Sequence, residues 1–118
     1  MVRVVSADTP TDRCIVETEK LELVPIKGVR PFADLKIGEA VFTVGAPSGL
    51  ERTLGQGIIS GLRQRKSQRL VQTSAPISPG SSGGGLFDSA GNLVGVTTFL
   101  LKEAQALNFA IAAEDFWR

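Results

Sequence analysis

The sequence contains no histidine, so no imidazole of its own is available as a general base or as a metal ligand. Its single cysteine, Cys14, excludes an internal disulfide, and with histidine missing it also excludes the clustered Cys and His sites that hold zinc. No cofactor is implied by the residues that remain. Neither sign of charge is in excess: thirteen Lys and Arg stand against twelve Asp and Glu. A net charge of +1 is too small for the overall field to draw in nucleic acid or an anionic membrane surface, so neither is expected as a partner. Long apolar runs are also lacking. None approaches the roughly 18 residues needed to span a bilayer, and residues 1–20 have no apolar centre of the kind a secretion signal requires. Function must therefore reside in specific sites.

What is present points to an all-β chain. A length of 118 residues with 42% hydrophobic content supports one modest core. Short β-branched or aromatic runs bounded by Gly, Pro, Asn and Ser recur, whereas helical periodicity is scarce. Strands are expected near Arg3–Ala7, Cys14–Thr18, Ala40–Gly45, Thr53–Leu62, Arg69–Ser74, Gly85–Phe87, Asn92–Phe99 and Leu107–Ala112. Asp88-Ser89-Ala90-Gly91-Asn92 has the residues of a hairpin turn between two of them. Six strands after residue 39 suffice to close a small antiparallel barrel, while only two precede it. The expected division is 1–27 as the last strands of an earlier unit, 28–39 as a connector, 40–112 as the barrel, and 113–118 as the start of a helix or tail favoured by Glu114 and Asp115.

The chemistry concentrates in Pro79-Gly80-Ser81-Ser82-Gly83-Gly84-Gly85-Leu86. A phosphate-binding P-loop is excluded, because Leu86 stands where that motif needs Lys. The G-x-S-x-G elbow of α/β-hydrolases fits the letters but lies between a strand and a helix, and here a hairpin follows. A flexible Gly/Ser loop is the bland reading. The third reading is a loop whose glycines let successive backbone N–H groups converge on one oxyanion beside a nucleophilic serine.

At this point the chain resembles the HtrA/Deg-type branch of the trypsin-like serine proteases over about residues 3–112. Arg3-Val4-Val5-Ser6-Ala7-Asp8 through Thr11-Asp12-Arg13-Cys14-Ile15-Val16 is similar to the end of that family's first barrel. Leu35 through Leu50 resembles the entry to its second. Gly57-Ile58-Ile59-Ser60, Val71 through Gly80, and Asn108-Phe109-Ala110-Ile111 follow in the family's order. The resemblance implies a six-stranded trypsin-like barrel with two N-terminal remnant strands. It implies Ser82 as nucleophile, Asp12 as the acid that orients a histidine, and Gly80, Ser81 and Ser82 as the oxyanion hole. Ile77, Val96, Thr97, Thr98 and Phe99 become the expected substrate-binding residues. An extended or unfolded polypeptide becomes the substrate, added as a strand to Val96–Phe99. Ala75, Pro76 and Ile77 offer no acid to a basic side chain, so aliphatic residues are expected at the cleaved position.

The chief departure is the missing base. The family's histidine precedes the aspartate, so the expectation is a missing N-terminal barrel that supplies it, with this chain inactive alone. The alternative is a non-catalytic peptide-binding barrel. Ser81 and Gly85 stand where relatives often have Asn and Pro. The two lone strands leave edges that invite homo-oligomerisation. Arg63, Arg65, Lys66 and Arg69 read as a solvated hairpin turn, with an acidic partner as the less favoured use.

Overall fold

The computed structural model describes residues 2–19, 25–45, 53–65, 68–77, 82–102 and 105–116. Strands β1 (Val2–Asp8) and β2 (Arg13–Thr18) pair antiparallel as a separate two-stranded sheet, joined by a 3-10 turn at Thr9–Thr11. Pro10 suits that turn, where its fixed φ fits and its missing N–H costs no bond. The chain leaves the turn through Asp12 in the left-handed region (φ 56°), a conformation that Asp tolerates better than most residues. Val2, Val4, Val5, Ile15 and Val16 remain half to two-thirds exposed, so this hairpin buries little of its apolar surface.

The remaining strands are β3 (Ala40–Gly45), β4 (Thr53–Arg65), β5 (Gln68–Thr73), β6 (Gly85–Asp88), β7 (Leu93–Lys102) and β8 (Gln105–Ala112). They close an antiparallel barrel in the order β3-β4-β5-β8-β7-β6, with β6 returning to pair with β3. The period-2 alternation of a strand turns every second residue inward. Val41, Ile59, Val71, Leu86, Val94 and Ala110, one per barrel strand, are all fully buried and pack as one cluster, which Leu35 of the connector joins. Each Val, Leu or Ile so buried contributes about 1.5–3 kcal/mol.

All eight expected strands are present, and their boundaries differ in an instructive way. β4 and β7 extend to Arg65 and Lys102, beyond the expected ends, because the ladders continue through Arg65↔Gln68 and Lys102↔Gln105, polar residues without hydrophobic periodicity. Residues Ala113–Phe116 form a 3-10 turn. It is bound firmly: the buried Asp115 carboxylate accepts from the Arg69 backbone N–H at 3.1 Å and from its guanidinium at 3.0 and 2.6 Å, and Glu114 pairs with Arg69 at 3.0 Å. Arg69 is thus engaged within the fold, and Arg63 donates to Gln72 at 2.9 Å. Lys66 lies outside the described residues.

The Asp88–Asn92 turn is built as its sequence suggests. Asp88 Oδ1 accepts the backbone N–H groups of Ala90 and Asn92 at 2.9 and 2.8 Å, and Gly91 takes a φ of 88°. Arg30 of the connector reaches this buried carboxylate at 3.0 Å and Glu39 at 2.6 Å. Burial alone would raise the Asp88 carboxyl. The Asn92 N–H, Arg30, the Asn92 amide and the Ala90 N–H outweigh it and hold the group below the ordinary Asp value. The same contacts, Glu39 first and then Asp88, raise the Arg30 guanidinium.

Candidate active site

Strands β5 and β6 are not neighbours in the barrel, and the described start of the segment between them, residues 74–77, runs against β4. It is stitched to that strand: Ser74 N–H donates to Ile58 O at 3.1 Å, Thr73 Oγ1 donates to the same carbonyl at 2.8 Å, and Ile58 N–H donates to Ser74 Oγ at 3.0 Å. Two glycines of β4 make room for it. A Cβ on Gly57 would stand 2.3 Å from Ala75 N, and one on Gly55 would stand 3.2 Å from Pro76 Cδ. Ala75 and Ile77 are buried there. Asn108 of β8 fastens the segment further by donating to Ala75 O at 3.0 Å.

Ser82 is exposed, in a turn that leads into β6. Gly83 follows with φ 93°, which favours glycine. Its N–H donates to Thr97 O at 2.7 Å, while Thr97 N–H donates to Gly84 O at 2.8 Å. The serine is therefore presented by a short stretch locked to β7. Gly80 and Ser81, two of the expected oxyanion donors, lie outside the described residues.

Asp12 comes from the other sheet. Its carboxylate accepts from Thr98 Oγ1 at 2.9 Å, and its N–H donates to Thr9 O at 3.2 Å. Asp12 and Ser82 line one cleft of about 330 Å³, together with Cys14, Gly83, Val96 and Thr97. Two residues far apart in sequence and on separate sheets thus face a common space. Among the described residues no cluster of Asp, Glu and Cys fit to hold a metal ion occurs.

The four expected strand residues of the substrate site are not equivalent. Val96 pairs with Gly85, and both backbone polar groups of Thr97 are engaged by Gly83 and Gly84. Beyond Thr97, no described strand pairs with β7 on its β6 side, whereas β8 continues along the other side from Thr97↔Ala110 through Thr98↔Phe109 and Phe99↔Asn108. Among the described residues, that side of β7 is therefore unpaired beyond Thr97. Thr97 and Thr98 side chains are buried, and so is Ile77, which lies in the segment that follows β5. That Thr98 holds Asp12 is not legible from sequence, since 86 positions separate them. Arg13 was equally unmarked, yet it joins the Asp12 turn to the C-terminal turn.

Comparison with known proteins agrees with the fold. A family model for the trypsin-like peptidase domain matches residues 1–96. Protease Do-like 1, chloroplastic, of Arabidopsis thaliana is 40% identical over 114 residues, covering 88% of this chain and 26% of the relative. Serine protease Do-like HtrA of Bacillus subtilis is 31% identical over 126 residues, covering 96% and 28%. Among solved structures, the HtrA-type protease AlgW with a tripeptide superposes with a TM-score of 0.83 at 29% identity over 96% of this chain and 40% of that one. Deg5 superposes with a TM-score of 0.80 at 34% identity over 98% and 56%. The chain spans 26% and 28% of the length of these two curated relatives. On sequence and architecture alike, it belongs to the HtrA-type trypsin-like serine proteases.

Proposed function

We propose that this chain carries the nucleophile, the orienting acid and the substrate edge of an HtrA-type endopeptidase, and that the general base is a histidine supplied by a first-barrel segment outside these 118 residues. The observation that carries this reading is the cleft shared by Asp12 and Ser82, with Asp12 held by Thr98. In the proposed reaction Ser82 Oγ attacks the peptide carbonyl while the histidine takes its proton and then passes it to the leaving amine. Asp12 fixes the imidazole and stabilises its charged form. The N–H groups of Gly80, Ser81 and Ser82 receive the oxyanion.

Without the histidine the serine hydroxyl is a weak nucleophile, and the chain alone is expected to be inactive. An extended polypeptide would add to β7 beyond Thr97, where no described strand pairs on that side. Ala75, Pro76 and Ile77 argue for an aliphatic residue at the cleaved position. The exposed valines of β1 and β2, with Ile15, are the surface that the first-barrel segment would cover, and in its absence self-association is expected. Exposing the chain to a fluorophosphonate probe, with and without a fused histidine-bearing first-barrel segment, tests the proposal. Labelling of Ser82 only in the fusion is expected, and a folded fusion without labelling would sink it.

A further inference from the structure

The sheet that carries Asp12 is separate from the barrel that carries Ser82, so something must set the one against the other. Described side-chain bonds between the Asp12 turn and the barrel are few. Thr98 reaches Asp12, Gln68 Nε2 donates to Thr11 O at 2.9 Å, and Arg13 makes the rest. Arg13 is two-sided. Toward its own turn, Nε donates to Thr11 Oγ1 at 2.9 Å and Nη2 pairs with Asp8 at 3.3 Å, gripping residues within and ahead of the turn. Toward the barrel, Nη1 donates to the Asp115 carbonyl, and the guanidinium stands 5.8 Å from the centre of the Phe116 ring. Asp115 is itself immobilised by Arg69 of β5. A continuous chain of bonds therefore runs from the barrel wall to the residue next to Asp12.

Geometry at Asp12 explains why such a fastening matters. With φ at 56° its backbone occupies a sparsely populated region, and in that arrangement the carboxylate meets Thr98. A planar, multiply bonded guanidinium set over an aromatic ring suits this task better than an ammonium would.

We propose that Arg13 is the positioning residue of the site: by clamping the Asp8–Thr11 turn to the Ala113–Phe116 turn, it holds Asp12 against the Thr98 hydroxyl. Its catalytic consequence rests on the reading of Asp12 as the orienting acid, whereas the positioning itself does not. The test is carbon-detected NMR of the Asp12 carboxyl in the whole chain. Thr98→Val sets the displacement of that signal when the hydroxyl is lost. Arg13→Ala is expected to reproduce most of it, and the double variant to add little. Arg13→Lys, which keeps a donor for the Asp115 carbonyl, is expected to recover part of the wild-type position. Arg3→Ala, at the far end of the hairpin, is expected to leave the signal unmoved. A wild-type Asp12 signal in Arg13→Ala, with the amides of Val71, Val94 and Ile111 undisturbed, would overturn the proposal. Should Arg13→Ala disturb those amides, Phe116→Leu decides instead: a smaller displacement in the same direction supports the clamp, and none contradicts it. In the histidine-completed fusion, Arg13→Ala is then expected to slow Ser82 labelling about as much as Thr98→Val does. If Asp12→Asn leaves labelling unchanged while the NMR displacement holds, the clamp stands and the catalytic role of Asp12 falls.

Discussion

The Thr98 hydroxyl donates to Asp12 Oδ2 at 2.9 Å, joining the wall of the barrel to a carboxylate that belongs to a different sheet. The bond has a directional consequence: it leaves the second carboxylate oxygen for another donor, which the proposed mechanism assigns to the imidazole N–H. A hydrogen bond to a charged group is worth about 1.5–3 kcal/mol. Thr98→Val in the histidine-completed enzyme is therefore expected to slow fluorophosphonate labelling of Ser82 by about tenfold or more, read as the rate of probe incorporation.

Gly57 sits beneath the segment that follows β5, where any Cβ meets the backbone of Ala75 at 2.3 Å. The obstacle is main chain rather than the end of a flexible side chain, so Gly57→Ala must push the segment off β4. The expected cost is about 1–3 kcal/mol in chemical denaturation, with altered presentation of Ser82. Gly38→Ala, where no atom lies within 4 Å of the added carbon but φ is 95°, tests backbone strain without such a collision.

Asp88 supplies a pH dependence. Its carboxyl is held below the ordinary Asp value in the folded chain, so folding is favoured above the unfolded-state value and this contribution fades as pH falls through the folded one. Stability measured by urea unfolding should decline below about pH 4. Asp88→Asn should lower stability at neutral pH and flatten that decline, because Arg30 and Glu39 remain while the titrating group is gone.

Asp115 is buried and receives three hydrogen bonds from Arg69. Removing the carboxylate leaves the Arg69 backbone N–H without its acceptor and reduces the guanidinium to its pair with Glu114, at a cost of about 1–3 kcal/mol. Asp115→Ala is expected to lower the thermal midpoint markedly, whereas Glu17→Ala, whose partner Arg3 is exposed, should leave it nearly unchanged.

Much of this fold was legible in the chain because its signals are local. Short β-branched and aromatic runs marked the strands, and Asp88 through Asn92 carried the chemistry of their own turn. Ladder ends such as Lys102↔Gln105 were not legible, since pairing there is set by the partner strand rather than by hydrophobicity. The site divides in the same way. Ser82 stands out by its glycines and Asp12 by the segment around it. Thr98 and Arg13 act through contacts made 86 and 102 positions away, and no neighbouring residue announces them. The engagement of Thr97 by Gly83 and Gly84 likewise depends on how the turn before β6 lands on β7.

The most direct measurement is mass spectrometry of the fluorophosphonate adduct on the chain fused to a histidine-bearing first-barrel segment, compared with the chain alone and with Ser82→Ala and Asp12→Asn fusions. The account predicts an adduct on Ser82 in the fusion, none on the chain alone or the Ser82→Ala fusion, and a strongly slowed reaction in the Asp12→Asn fusion. A folded fusion with an unmodified Ser82, or with the adduct on another residue, would contradict it.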